Sequence, residues 1–466
     1  MVKAGLLGAL LCSVVLAGED EKVEDLARRN AELEKRVDQL EKSALAEDID
    51  HYLRDTDFAA QAEGGTSLLP GGLSIAFSGE VRVRGEVRDH NYAPGDPDGQ
   101  NSFSFVHMRT RLRADVDVLQ NLAVIIELQD VRNWGAEGST VAAVTGATLK
   151  GFDLKRGIIH FKNVGGVKLD VELGRYVMFY GDQRLVGHLE WLDQGRSYDG
   201  LRALFHPESG WWVDFFAVNV RETMAANNDQ YFTGFYGGND WIEAYVMLLI
   251  DDLAQMGEIA NGKTRYVTLG FRIHRRTGNW DYSVEVPFQI GDLRGDDLQA
   301  YAGAATVGYT FLTTAWRPRV SIEVAYASGD ANPADGDNGQ FQTLFPTNHL
   351  WYGWMDLVGW NNIINLRVHL VAKPTEKITL MLDYHHFWRP EDQGAWQNAG
   401  GGVIRPGAAN TSPHLGDEVD FQVMWKPNKP LSFLAGYAIF LPGSFVSQTG
   451  QDPIAHFFYL QARAKF

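Results

Sequence analysis

FSGEVRVRGEVR (77–88) and HMRTRLRADVDV (107–118) both repeat with a period of two. Val81, Val83 and Val87 fall on one face of the first, opposite Glu80, Arg82, Arg84, Glu86 and Arg88. Met108, Leu112, Val116 and Val118 oppose Arg109, Arg111, Arg113, Asp115 and Asp117 in the second. Successive side chains of a strand point to opposite faces, whereas a helix would repeat near every ~3.6 residues. The same alternation returns in RYVTLGFRIH (265–274), WDYSVEVPFQI (280–290), NLRVHLVAK (365–373), KITLMLDYHHFW (377–388) and DEVDFQVMWK (417–426). A soluble sandwich packs such apolar faces in a core. A membrane barrel turns them to lipid and keeps the charged faces around a lumen.

The whole chain narrows the choice. Its 466 residues include 25 Phe, 17 Tyr, 13 Trp and 49 Gly. After residue 18, no stretch approaches the ~18–20 apolar residues a spanning helix needs. A hydrophobic content of 45% excludes a disordered chain. A net charge of −17 argues against nucleic acid as a partner.

Lys3, the apolar stretch Leu6 to Leu16, then Ala17 and Gly18 read as a secretory signal over 1–18. Cys12, the sole cysteine, lies inside it, so the mature chain is expected to carry neither disulfide nor thiolate chemistry. Val23, Leu26, Asn30, Leu33, Val37 and Leu40 follow a heptad spacing, predicting a periplasmic helix over 19–58. That segment reads either as a short coiled coil joining copies into a homo-oligomer or as one amphipathic helix lying on the main domain. Residues 59–74 gain Gly and Pro and read as a linker, leaving 75–466 as the main domain.

Within that domain, short connections near 120–121, 163–166, 207–210, 238–240, 277–279, 314–318, 374–376 and 427–430 alternate with longer polar ones. The longer ones lie near 89–103, 132–147, 177–196, 222–230, 252–263, 292–297, 329–361, 389–415 and 441–454. Short turns on one side and long loops on the other are the asymmetry of outer-membrane barrels. Eight short and nine long connections give 18 strands; softer boundaries around 132–162 and 231–250 leave 16 as the other count. The chain closes on HFFYLQARAKF (456–466), with Phe458, Leu460, Ala462, Ala464 and Phe466 on one face. Trp134, Trp191, Trp241, Trp280 and Trp388 are candidates for the aromatic girdles at the membrane surfaces.

Three stretches resemble the alginate-export porins of bacterial outer membranes: LGRYVMFYGDQRLVGHLEWLDQGRSYDGLRALF (173–205), RLRADVDVLQNLAVIIELQDVRNWG (111–135) and SGDANPADGDNGQFQTLFPTNHLWYGWMDLVGWNNI (328–363). The resemblance runs from about Phe77 to Phe466. It implies an all-β, single-chain, 18-stranded transmembrane barrel in the bacterial outer membrane, with an arginine-lined constriction that passes an acidic polyuronate. It does not cover the heptad segment.

Arg82, Arg84, Arg109, Arg111 and Arg113 are expected on the polar faces of adjacent strands, Arg175, Arg184, Arg196 and Arg202 in the first stretch of resemblance, and Arg272 and Arg367 on later lumen faces. A guanidinium stays charged and can donate two hydrogen bonds to one carboxylate, so such forks suit an anionic saccharide. Glu80, Glu86, Asp115, Asp117, Glu127 and Glu172 share these faces, and a mixed-charge pore with neutralised arginines is the other reading. The expected function is passive passage of hydrophilic, anionic saccharides across outer-membrane lipid, without a cofactor. A barrel hydrolase is the competing class, although no HExxH or GxSxG stands in the chain. An envelope tether through the N-terminal helix is a third. GEIANGKT (257–264) matches a phosphate-loop pattern, but an alternating strand follows where a helix is needed. Asp330, Asp335 and Asp337 are weak calcium candidates. His385 and His386 alternate faces and cannot together form one site.

Overall fold

The computed structural model describes residues 67–68, 73–134, 151–222 and 228–466. The expected signal segment, heptad helix and most of the linker lie outside the described residues.

Eighteen antiparallel strands form one closed sheet. They are β1 (Ser74–Asp89), β2 (Phe103–Leu119), β3 (Leu122–Asn133), β4 (Phe152–Phe161), β5 (Leu169–Tyr176), β6 (Tyr198–Phe205), β7 (Trp212–Arg221), β8 (Gln230–Gly238) and β9 (Ile242–Met256). Then follow β10 (Asn261–Thr277), β11 (Trp280–Leu293), β12 (Asp296–Thr310), β13 (Arg319–Ala327), β14 (Ile363–Thr375), β15 (Ile378–Trp388), β16 (His414–Trp425), β17 (Leu431–Pro442) and β18 (Ala455–Lys465). Each strand pairs with its sequence neighbours, and β1 pairs with β18 from Glu80↔Lys465 to Asp89↔His456. Closure pairs the backbone polar groups that hydrocarbon would leave unsatisfied. The seam extends to the last residue: the Gly79 N–H donates to the Phe466 carbonyl at 2.7 Å, and the reverse bond is 3.0 Å.

The alternation is arranged inside out. Phe77 is 53% exposed and Val87 and Leu112 are exposed too, whereas Glu80 is 0% and Arg109 1% exposed. The charged faces thus line the interior and the apolar faces form the outer surface, as a lipid-embedded barrel requires. Trp134, Trp241 and Trp280 stand exposed at strand ends, where girdle residues belong. Trp191 does not: it is buried in the interior, its ring 4.9 Å from both Trp354 and Tyr459.

Eight short turns close one end and nine connections the other. Two of the nine are tighter than the polar composition suggests. Residues 257–260 join β9 to β10, and Arg294-Gly295 alone joins β11 to β12. Both residues of that turn have positive φ (58° and 98°), the backbone of a two-residue hairpin turn whose twist matches its strands. The phosphate-loop match at 257–264 therefore spans a hairpin and opens no helix.

Candidate functional site

Two of the long connections, 177–197 and 328–362, fold into the barrel. The first leaves β5 and meets the arginines of β1 and β2. Arg109 donates to Glu80 from Nε (3.0 Å) and Nη2 (2.5 Å), and its Nη1 donates to Glu190 Oε2 (2.9 Å). Arg111 reaches the same Glu190 oxygen at 2.6 Å. Lys155 on β4 lies 3.3 Å from the other Glu190 oxygen and donates to the Gln194 carbonyl at 2.9 Å. Arg82 donates to Asp193 Oδ1 (2.5 Å) and to the Glu190 carbonyl (2.8 Å). Arg84 donates to the Trp191 carbonyl at 2.8 Å and lies 3.8 Å over the Trp191 ring.

Local geometry makes this cradle. Gly195 has φ +58°, and a Cβ there would lie 2.6 Å from Glu190 Oε1 and 2.7 Å from Lys155 Nζ. A side chain would wedge the lysine from the carboxylate. Burial acts to raise the Glu190 carboxyl, but Arg111, Lys155 and Arg109 together hold it well below the usual carboxylate range. Asp193 is likewise depressed against its burial, by its bond to His107 and by Arg82 and Arg84.

The other end of the same loop binds the opposite wall. Asp182 accepts from Arg272 on β10 (2.5 Å) and Ser283 on β11 (3.0 Å). Arg184 donates to Glu323 on β13 at 2.7 Å and to the Tyr352 hydroxyl at 3.1 Å. In an 18-stranded ring β1 and β10 face each other, so the loop crosses the lumen.

Residues 328–362 zip onto it. The Phe345 N–H donates to the Leu185 carbonyl (2.8 Å), Gly187 N–H to the Phe345 carbonyl (2.7 Å) and Thr347 N–H to the Gln183 carbonyl (2.9 Å). The Trp351 indole N–H bonds the Asp182 carbonyl at 2.7 Å. Outside this pair, residues 389–413 form a cover. Trp396 is buried and donates to the Leu357 carbonyl at 2.8 Å, and Arg405 bonds the Pro97 carbonyl (2.8 Å) and Thr449 (3.2 Å).

The expected arginines are thus partly gathered and heavily engaged. Arg82, Arg84, Arg109 and Arg111 form one cluster and Arg184 and Arg272 another, on the facing wall. Arg367 pairs with Asp383 at 2.6 Å, and Arg202 with Glu172 at 2.6 Å. Arg113 gives two N–H groups to Asp115 and leaves Nη1 without a partner among the described residues. Arg196 turns back on its own loops, bonding the Gly187 carbonyl at 2.8 Å. Arg175, expected among the pore-lining arginines, does not face the lumen. It shares the outer face with Leu173 and lies 3.4 Å from Asp199, so this pair sits on the barrel's exterior. Asp330, Asp335 and Asp337 are not gathered around a cation position. Asp335 accepts from Asn332 Nδ2 (2.9 Å) and the Asp337 N–H (3.0 Å), and Asp330 from the Asn332 N–H (3.3 Å).

Alternation alone misses Glu190, Asp193 and Asp182, the carboxylates that occupy the forks. The available signal was an acidic, aromatic run (HLEWLDQGR, 188–196) in a connection opposite an arginine-rich wall.

The model of the alginate-export family matches residues 74–459. The chain belongs to that family. No curated protein matches it in sequence. Solved structures with the same fold include Pseudomonas aeruginosa OccK11 (OpdR), with a TM-score of 0.53 and 10% identity over 84% of this chain and 96% of that one. P. aeruginosa OccK2 (OpdF), solved in complex with glucuronate, gives 0.53 and 10% over 84% and 98%. Acinetobacter baumannii OccAB3 gives 0.53 and 11% over 84% and 99%. The alginate-export barrel is a bacterial outer-membrane channel, its short turns on the periplasmic side and its long loops external. Its family and fold are those of pores rather than of an enzyme.

Proposed function

We propose that this barrel passes anionic saccharides of the alginate-like polyuronate class, using Arg82, Arg84, Arg109, Arg111 and Arg113 as carboxylate-binding forks. Glu190 carries the proposal: a loop carboxylate occupies Arg109 and Arg111 as a uronate carboxylate would. An entering polyuronate competes for those forks, the loop yields, and successive sugars pass from one arginine to the next. Each site has to hold weakly enough to release its sugar. Arg113, with its Nη1 unpartnered among the described residues and nearer the periplasmic turns, continues the series. Arg184, Arg202, Arg272 and Arg367 supply further positive charge to the interior. The glucuronate complex of OccK2 supports the reading, as a barrel of this fold that accommodates a uronate.

A mixed-charge pore without anion preference is the second reading. The ion pairs themselves favour it, since Glu80, Glu190 and Asp193 neutralise much of the cluster. Ion selectivity of the reconstituted barrel separates the two. Anion preference that falls in an Arg109→Gln/Arg111→Gln variant supports polyuronate passage. Unselective conductance that the substitutions leave unchanged supports the mixed pore.

A further inference from the structure

Among the described residues, one group brings three candidate metal-ligand atoms within 4.8 Å of one another: His386, His414 and Asp417. It lies on the outer face, where β15 ends and β16 begins. His386 Nδ1 is 2.5 Å from Asp417 Oδ1, and His414 Nε2 is 3.3 Å from Asp417 Oδ2. The two imidazoles stack at 4.7 Å with 19° between their planes. The Tyr384 hydroxyl donates to the same Asp417 Oδ1 at 2.6 Å, which fixes the carboxylate.

The backbone departs from regularity to build this group. Residues 414 and 417 would point to opposite faces of a regular strand. Here Phe387 pairs with Gly416 and Trp388 with His414, so Leu415 is an extra residue opposite the partner strand. This bulge restores the parity and puts His414 and Asp417 on one face, next to His386, which pairs directly with Asp417. Gly416 carries the bend at φ +155°, and a Cβ there would meet the Leu441 carbonyl at 2.6 Å. His385, one residue away, is buried on the inner face and takes no part.

We propose that His386, His414 and Asp417 bind a divalent transition cation of the zinc class, with solvent completing the tetrahedral set. Two imidazoles and one carboxylate suit Zn²⁺ or Cu²⁺ and are poorly matched to Ca²⁺ or Mg²⁺, which take oxygen ligands. The ion replaces the proton shared by His386 and Asp417, and that proton leaves to solvent. The ligands stand at both ends of the 389–413 connection, which covers the inward-folded loops through Trp396. A bound ion pins the base of that cover. The ion site is independent of which solute passes.

The test is metal titration of the tag-free, detergent-solubilised barrel, with folding checked by heat-dependent mobility in gels. One equivalent of Zn²⁺ is expected, unaffected by excess Mg²⁺, and lost in both His386→Gln and His414→Gln. Cu²⁺ on the unaltered protein should show magnetic coupling to two imidazole nitrogens, a readout that needs no variant. Zn²⁺ uptake equal in the protein and a folded His variant would overturn the site. So would a Cu²⁺ spectrum without imidazole nitrogen.

Discussion

Glu190 and Arg111 meet at 2.6 Å between a loop from the β5–β6 connection and strand β2 on the wall. The contact ties an external loop to the charged interior face of a pore. Arg109 and Lys155 converge on the same carboxylate, so one side chain anchors a loop that crosses the lumen.

Removing that anchor should loosen this end of the loop, which Asp193 still ties to Arg82. Glu190→Gln leaves Lys155 and Arg109 buried beside a neutral group, and breaking a buried pair in this way costs about 3 kcal/mol. Single-channel recordings are expected to show more frequent or larger conducting states, with the barrel still folded. Recordings indistinguishable from the unaltered protein would separate Glu190 from gating.

At Gly187 the two inward loops pack with no room for a side chain. A Cβ at this position would stand 2.6 Å from the Thr347 amide nitrogen. Gly187→Val should therefore unzip 177–197 from 328–362 without touching a strand. Protease cleavage within 328–362 of the folded barrel is expected to accelerate several-fold, and an unchanged rate would argue against the zip.

The pH dependence follows from two opposite shifts. Burial pushes the Asp356 carboxyl in the 328–362 loop up to about 7, against the pull of Arg88. A raised carboxyl means the packed loop holds a proton that a released loop gives up. Its contribution is full below the ordinary carboxylate range of about 4 and is lost as pH rises through about 7. Glu190 and Asp193 are depressed, so their contribution is present above about 4 and is lost only as pH falls through values well below it. Open probability should rise from pH 5 to pH 7, and Asp356→Asn should flatten that rise. A slope of the opposite sign would contradict the assignment.

Arg175 provides a control. Its partner Asp199 is on the exterior, so Arg175→Ala should leave ion selectivity unchanged while Arg109→Gln lowers it. A loss of selectivity at Arg175 as large as at Arg109 would contradict the inside-outside assignment.

The barrel was legible because alternation and turn spacing each record a separate physical demand. Glu80, Arg82 and Arg84 face inward and Val87 faces lipid, and the 18 strands follow from the eight short turns and nine longer connections together. The tight β11–β12 turn was misread as a longer loop because its residues are polar, although positive φ at Arg294 and Gly295 needs only two positions. Arg175 was grouped with the pore by its place in a recognised stretch, whereas alternation from Leu173 already puts it outside. The inward fold of 177–197 was not legible, because no local pattern says which wall a loop carboxylate will meet. The pairing of His386 with His414 was hidden by a bulge, which changes the face a residue occupies without changing its spacing in sequence.

The most direct test of the exchange of loop carboxylate for solute carboxylate is reversal potential in a salt gradient across a planar bilayer, before and after adding an oligouronate. An anion-preferring potential and a current that the oligouronate blocks are expected, with loss of both in Arg109→Gln/Arg111→Gln. A reversal potential at zero, with current indifferent to the oligouronate and to the substitutions, would contradict it.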